Sequence, residues 1–121
     1  MNKEFVELKM ENLTNKYTTV YVESNFNFNA PHRFKVNSTD DNEEILNIHF
    51  QEGPIKECGV NGVCNEDLIN MVLCRLQYFQ QSEFKCEENV NAIIYLKSAL
   101  DELRKRTNKR EKRGVEGTHV V

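Results

Sequence analysis

Long apolar runs are missing from this 121-residue chain; nothing in it approaches the ~18 residues that a membrane-crossing helix needs. Its first residues, MNKEFVELK, lack the apolar core of a secretory signal, so the expectation is a protein neither exported by that route nor embedded in a membrane. Proline and glycine are scarce, at two and five residues, which argues against a low-complexity or collagen-like chain. The four cysteines (Cys58, Cys64, Cys74, Cys86) form no C-x-x-C pair. A disulfide framework does not suit a chain without an export signal, so all four are expected as reduced thiols, some packed in the core. The three histidines, His32, His49 and His119, fall in no H-x-x-x-H or H-E-x-x-H spacing, and Cys58 and Cys64 flank a glycine loop without the spacing of zinc ligands. No nucleophile elbow, Walker loop or dinucleotide fingerprint occurs. The residues therefore predict no catalytic group, no metal and no cofactor.

What is present is an ordinary globular composition, 39% hydrophobic and 29% charged, long enough for a single domain over residues 1–121. The net charge of −3 conceals an asymmetry. Residues 1–103 carry 9 basic and 17 acidic side chains, whereas RKRTNKREKR at 104–113 carries 7 basic and 1 acidic. One end of an acidic protein is strongly cationic, and an anion would go there.

The first part, residues 1–52, reads as an antiparallel sheet. Val6, Leu8 and Met10 alternate with charged residues over 5–11, and 17–24, 33–36 and 46–50 repeat the period of two. Val20 and Val22 share one face, with Thr19 and Tyr21 on the other, and Phe34 and Val36, then Leu46, Ile48 and Phe50, are expected to point inward. Polar, Asn/Asp-rich separators make a meander of four strands the simplest topology. Residues 53–121 read as a loop and a helical hairpin. Asn65 is a candidate N-cap, and Ile69, Val72, Leu73, Leu76 and Phe79 or Gln80 follow helical spacing. After a break at 81–85, Val90, Ile93, Ile94, Lys97, Leu100 and Leu103 trace one stripe of a second helix, with Gly114 as its C-terminal cap. A helix over 86–113 would be roughly 42 Å long, more than a four-stranded sheet covers. Pairing of two hairpins in a homodimer would bury the remainder. The fold class expected is thus α+β and dimeric.

Arg106, Arg110 and Arg113, at i, i+4 and i+7, share one face of the last helical turns. Guanidinium groups suit phosphate oxygens, although a basic helix end also serves simply to complement the helix dipole. Arg106, nearest the packed part of the helix, is expected to be the best ordered of the three. Gly114-Val-Glu-Gly-Thr118 follows, where glycines would let backbone N–H groups approach an anion. Phe79 and Phe84 flank the break between the helices, as packing residues or as a surface on which a base stacks. Asn89 is either surface or a hydrogen-bonding group for a base edge or ribose.

Gly53-Pro-Ile-Lys-Glu57, Gly59-Val-Asn-Gly-Val63, Glu66-Asp67-Leu68 and the ending from Arg106 through Arg113-Gly-Val-Glu-Gly-Thr-His119 resemble the helical hairpin shared by two phage sponge families. These are the type-one Thoeris anti-defence proteins and the type-two anti-CBASS proteins. The preceding sheet is similar to the Thoeris members. That resemblance implies a protein of the host cytoplasm that binds glycocyclic ADP-ribose and holds it without degradation. It also implies that Phe79 stacks the adenine, that Asn89 contacts the ligand, and that Arg106 and Arg110 grip the phosphates, with Arg113 and Thr118 in the same pocket. The partners expected are this small molecule and a second copy of the chain, or a multiple of the dimer, with no nucleic acid and no membrane. Three alternatives stay open: an enzyme cleaving such a nucleotide, a sponge for the cyclic di- or trinucleotides of CBASS, and a nucleic-acid binder using the basic end. The acidic remainder of the chain opposes the last.

Overall fold

The alternating segments pair in sequence order. In the computed structural model, which describes residues 4–121, β1 (Phe5–Glu7), β2 (Thr18–Glu23), β3 (Arg33–Ser38) and β4 (Glu44–His49) form one antiparallel sheet of order β1-β2-β3-β4. Residues 1–3 of the N-terminal reading lie outside that range. Register follows the apolar pattern: Val6 faces Val22, Val22 faces Phe34, Val20 faces Val36, Phe34 faces Ile48 and Val36 faces Leu46. These residues share one side of the sheet, because a strand's side chains alternate. Phe50 extends that side, meeting Phe34 edge-on at 5.6 Å between ring centroids.

The first strand is shorter than its alternation predicted. Leu8 N–H still reaches Val20 O at 2.8 Å, but a turn closed by Leu13 N–H on Met10 O at 3.1 Å then takes the chain off the ladder. At the far end, β3 runs two residues past Val36. A bulge follows Val36: Asn37 faces Glu44, and Ile45 is left unpaired.

The opposite side of the sheet is polar yet holds the deepest side chain. Glu23 is 2% exposed, and its Oε2 accepts the backbone N–H groups of His32 at 2.7 Å and Arg33 at 2.8 Å. A carboxylate thus ties the start of β3 to the end of β2 across the connection 24–32. Nearby, Lys35 lies 4.2 Å above the Phe5 ring, and Glu52 Oε1 meets His49 Nε2 at 2.9 Å.

Residues 50–63 close on themselves rather than forming an open loop. Phe50 and Val63 make a parallel bridge, with Gln51 N–H on Val63 O and Val63 N–H on His49 O, both 2.9 Å. Between them runs one helical turn, α1 (Ile55–Cys58). Gln51 and Asn61 act as surrogate backbone: Gln51 Nε2 donates to Gly59 O at 2.7 Å, and Asn61 Oδ1 accepts from Glu52 N–H at 2.8 Å. Gly62 is needed here because a Cβ would fall 2.5 Å from the carbonyl of Phe50. By contacts this segment belongs with the sheet: the chain divides into two compact units, Met1–Val63 and Cys64–Val121.

The second unit is the helical hairpin α2 (Asn65–Phe79) and α3 (Glu87–Lys112). The N-cap of α2 is Cys64, one residue before the Asn65 expected, because Asp67 then stands at N3 and accepts Cys64 N–H at 2.9 Å. With Asn65 as cap, N3 would be Leu68, which cannot reciprocate. Ile69, Leu73, Leu76 and Gln80 turn inward on α2, as do Asn89, Ile93, Leu96, Leu100, Leu103, Thr107 and Arg110 on α3. The steps of three and four are those of antiparallel helices packed along a seam. Val72, Val90 and Ile94, expected in the same stripes, are exposed instead. Gln80 staples the turn between the helices, donating to Cys86 O at 3.1 Å and accepting Cys86 N–H at 3.0 Å.

Candidate functional site

The basic segment is helical to Lys112, so the i, i+4, i+7 spacing does place Arg106, Arg110 and Arg113 together. With Glu102, Lys105 and Lys109 they line one shallow cavity of about 340 Å³. Lys105 is partly neutralised there by Glu102 at 2.9 Å. That hydrogen bond and its charge hold the Glu102 carboxyl below, and the Lys105 ammonium above, their ordinary values. The guanidinium groups and Lys109 carry the rest of the positive face.

The three arginines are not equivalent, and their order differs from the expected one. Arg106 is exposed and makes no hydrogen bond or ion pair among the described residues. Arg110 is half-buried, and its Nη2 donates to Val115 O and Thr118 O, both at 3.1 Å, and to Val120 O at 2.8 Å. Arg113 Nη2 donates to Val121 O at 2.7 Å. The chain turns back after α3, bringing the tail carbonyls to the inward stripe, where Arg110 stands and Arg106 does not.

That reversal is a Schellman motif. Gly114, at φ +73, donates its N–H to Glu111 O at 3.0 Å, and Val115 N–H donates to Arg110 O at 3.0 Å. Gly114 is the cap the sequence predicted. Its N–H and that of Val115 are engaged within the motif, however, and so do not present themselves to an anion. Thr118 is brought beside the same carbonyls, its Oγ1 donating to Val115 O at 2.6 Å.

Phe79 lies at the other end of α2, beside an open cavity of about 450 Å³ lined by Cys74, Arg75, Tyr78, Phe79, Ser82 and Phe84. The Arg75 guanidinium sits 5.6 Å from the Phe79 ring centroid, so one face of the ring is held by a cation. Phe79 remains 42% exposed, with surface available for a planar group. Phe84 joins Phe79 in this cavity through the turn, where Ser82 Oγ donates to Phe79 O at 2.6 Å and accepts Phe84 N–H at 3.1 Å. Arg75 and Tyr78 were not singled out from the sequence. An arginine four residues before an aromatic on a helix was the available signal for the first.

Asn89 is half-buried on the inward stripe of α3 and makes no side-chain hydrogen bond among the described residues. From Asn89 to Arg106 is seventeen helical positions, roughly 26 Å along the axis. Within one chain, therefore, the aromatic end (Phe79, Asn89) and the basic end (Arg106, Arg110, Arg113, Thr118) are separate.

The cysteines are all free, as expected, but all four are exposed, so none is packed in the core. Cys64, although at a helix start that ordinarily favours the thiolate, is pushed up by burial and then by the Asp67 and Glu66 carboxylates. Among the described residues there is no cluster of three or more His, Cys, Asp or Glu side chains able to hold a metal, and no helix long and apolar enough to cross a membrane.

An antiparallel sheet followed by an amphipathic hairpin with a basic, back-folded end defines a class, and comparison with known proteins identifies it. Residues 41–107 match the model of the Acb2/Tad1 hairpin domain. The chain is 46% identical, over 93% of its own length and 97% of the other's, to Thoeris anti-defense 1 of Bacillus phage SBSphiJ7. It belongs to the Thoeris anti-defense 1 family. The matched hairpin includes Phe79, Asn89 and Arg106 and ends before Arg110.

Proposed function

We propose that this chain is a phage anti-defence sponge that captures glycocyclic ADP-ribose in the host cytoplasm and holds it without degrading it. The observation that carries the reading is the pair of half-sites on one hairpin: an open aromatic surface at Phe79 and an unengaged guanidinium at Arg106. A cyclic ADP-ribose presents a purine and a pyrophosphate to match them. Phe79 stacks the adenine, worth ~1–3 kcal/mol, and Asn89 takes a base edge or ribose hydroxyl. Arg106 meets the phosphates, with Arg110, Arg113 and Thr118 completing that wall.

Because the half-sites stand roughly 26 Å apart along one helix, a nucleotide bridges them only if a second copy supplies one end. The working unit is therefore a homodimer with antiparallel hairpins and two equivalent pockets, each made of one chain's Phe79 end and the other's Arg106 end. Val90 and Ile94, exposed on α3, are the apolar residues such pairing would cover. Competition with a receptor calls for nanomolar affinity, about −12 kcal/mol. Two or three charge-assisted hydrogen bonds at ~1.5–3 kcal/mol each, with one stacked base, supply roughly 4–12 kcal/mol, so nanomolar capture needs a preorganised pocket and further buried surface as well.

The test is incubation with excess glycocyclic ADP-ribose, heat denaturation and chromatography of the supernatant. The reading expects one equivalent per chain to be withheld before heating and all of it to return unaltered afterwards. Product accumulating beyond one equivalent would replace the sponge with an enzyme.

A further inference from the structure

Three backbone carbonyls of the tail converge on one nitrogen of one side chain. We infer that Arg110 is a positioning residue: it holds the tail after α3 folded back on the helix and thereby places Thr118. The inference rests on the functional reading above only for what Thr118 then does; the folding-back itself does not depend on it.

Residues 114–120 contain no helix or strand, so their carbonyls need partners other than a ladder. Arg110 Nη2 supplies one for Val115 O, Thr118 O and Val120 O at 3.1, 3.1 and 2.8 Å, while Arg110 O accepts Val115 N–H at 3.0 Å. Thr118 closes the knot, donating through Oγ1 to Val115 O at 2.6 Å and accepting Val120 N–H at 3.3 Å. These contacts lead back to Arg110 directly or through Val115 and Val120. The carbonyls share the two hydrogens of Nη2, and both forks of a guanidinium use that nitrogen, so an incoming phosphate finds only the separate donors of Nη1 and Nε. Arg106, whose donors are all unengaged, is the better anion ligand. The residues divide the work: Arg106 binds, and Arg110 builds the wall that carries Thr118.

The experiment begins without ligand. Backbone ¹⁵N relaxation is measured for residues 115–121 in the wild-type chain, Arg110→Ala and Arg106→Ala. The tail should become as mobile as a free terminus in Arg110→Ala and stay ordered in Arg106→Ala. A tail equally rigid in Arg110→Ala overturns the inference. Glycocyclic ADP-ribose is then titrated into wild type, Arg110→Ala, a chain ending at Glu116, and the truncated chain carrying Arg110→Ala. Each change should weaken binding by about tenfold, the loss of one charge-assisted hydrogen bond, and the combination by no more than either alone. Losses that multiply would make Arg110 a direct ligand and overturn the positioning role. A wild-type chain that fails to bind, with the tail still loosened in Arg110→Ala, brings down the functional reading alone and leaves the clamp in place.

Discussion

Arg106 and Glu23 show what a single residue does here and how differently the sequence exposes the two. The arginine spacing was readable because a helix of 3.6 residues per turn makes i, i+4 and i+7 neighbours whatever else the chain does. Which of the three is engaged was not readable, since it depends on the tail folding back to Arg110. Arg106→Ala should weaken nucleotide binding by tenfold to over a hundredfold, as the loss of a hydrogen bond to a phosphate costs ~1.5–3 kcal/mol. Its melting temperature should hardly move, because an exposed arginine contributes little to folding. Calorimetric titration beside thermal melts checks both, and wild-type affinity would reduce the basic face to a solvated helix end. Glu23 was hidden for the opposite reason: alternation places it on the polar side of β2, where exposure is the default. Its burial follows from the backbone N–H groups of His32 and Arg33, which only the fold delivers. Glu23→Ala leaves both donors without this acceptor and should lower stability by about 2–4 kcal/mol, read as a shifted denaturation midpoint. An unshifted midpoint would mean that water replaces the carboxylate at no cost.

At the scale of elements, periodicity predicted the meander, the hairpin and the sheet's apolar side, because each depends on near-neighbour geometry. It failed where chemistry outside the pattern decides. The Met10 turn cut β1 short, Asp67 moved the α2 cap to Cys64, and Gln51 with Asn61 converted an expected loop into a closed segment. The α3 stripe is the informative case. Ile93, Leu100 and Leu103 turn inward as expected, but Val90 and Ile94 belong to a second face that one chain leaves exposed. A helix with apolar residues on two faces needs two partners. Ile94→Glu places a charge on that second face and should convert a dimer into a monomer with the helical circular dichroism retained. Nucleotide capture should disappear with it. An unchanged dimer in sedimentation would move the interface elsewhere.

For the whole molecule, the proposed site is one that two chains would build together. Phe79 and Asn89 at one end of the hairpin and Arg106 at the other were all singled out as candidates from the sequence. Their separation was implicit in the helix length, and the structure makes it plain through an unbroken α3 from Glu87 to Lys112. The proposed composite pocket would also account for the charge asymmetry, setting the aromatic surface of an antiparallel partner beside the basic end. Native mass spectrometry of the chain with glycocyclic ADP-ribose tests this most directly, since it reports assembly, stoichiometry and ligand mass together. The prediction is a species of two chains, or a multiple of two, carrying one intact nucleotide per chain. A ligand-free monomer with the nucleotide in excess, or a bound species heavier by one water than the cyclic nucleotide, would contradict it.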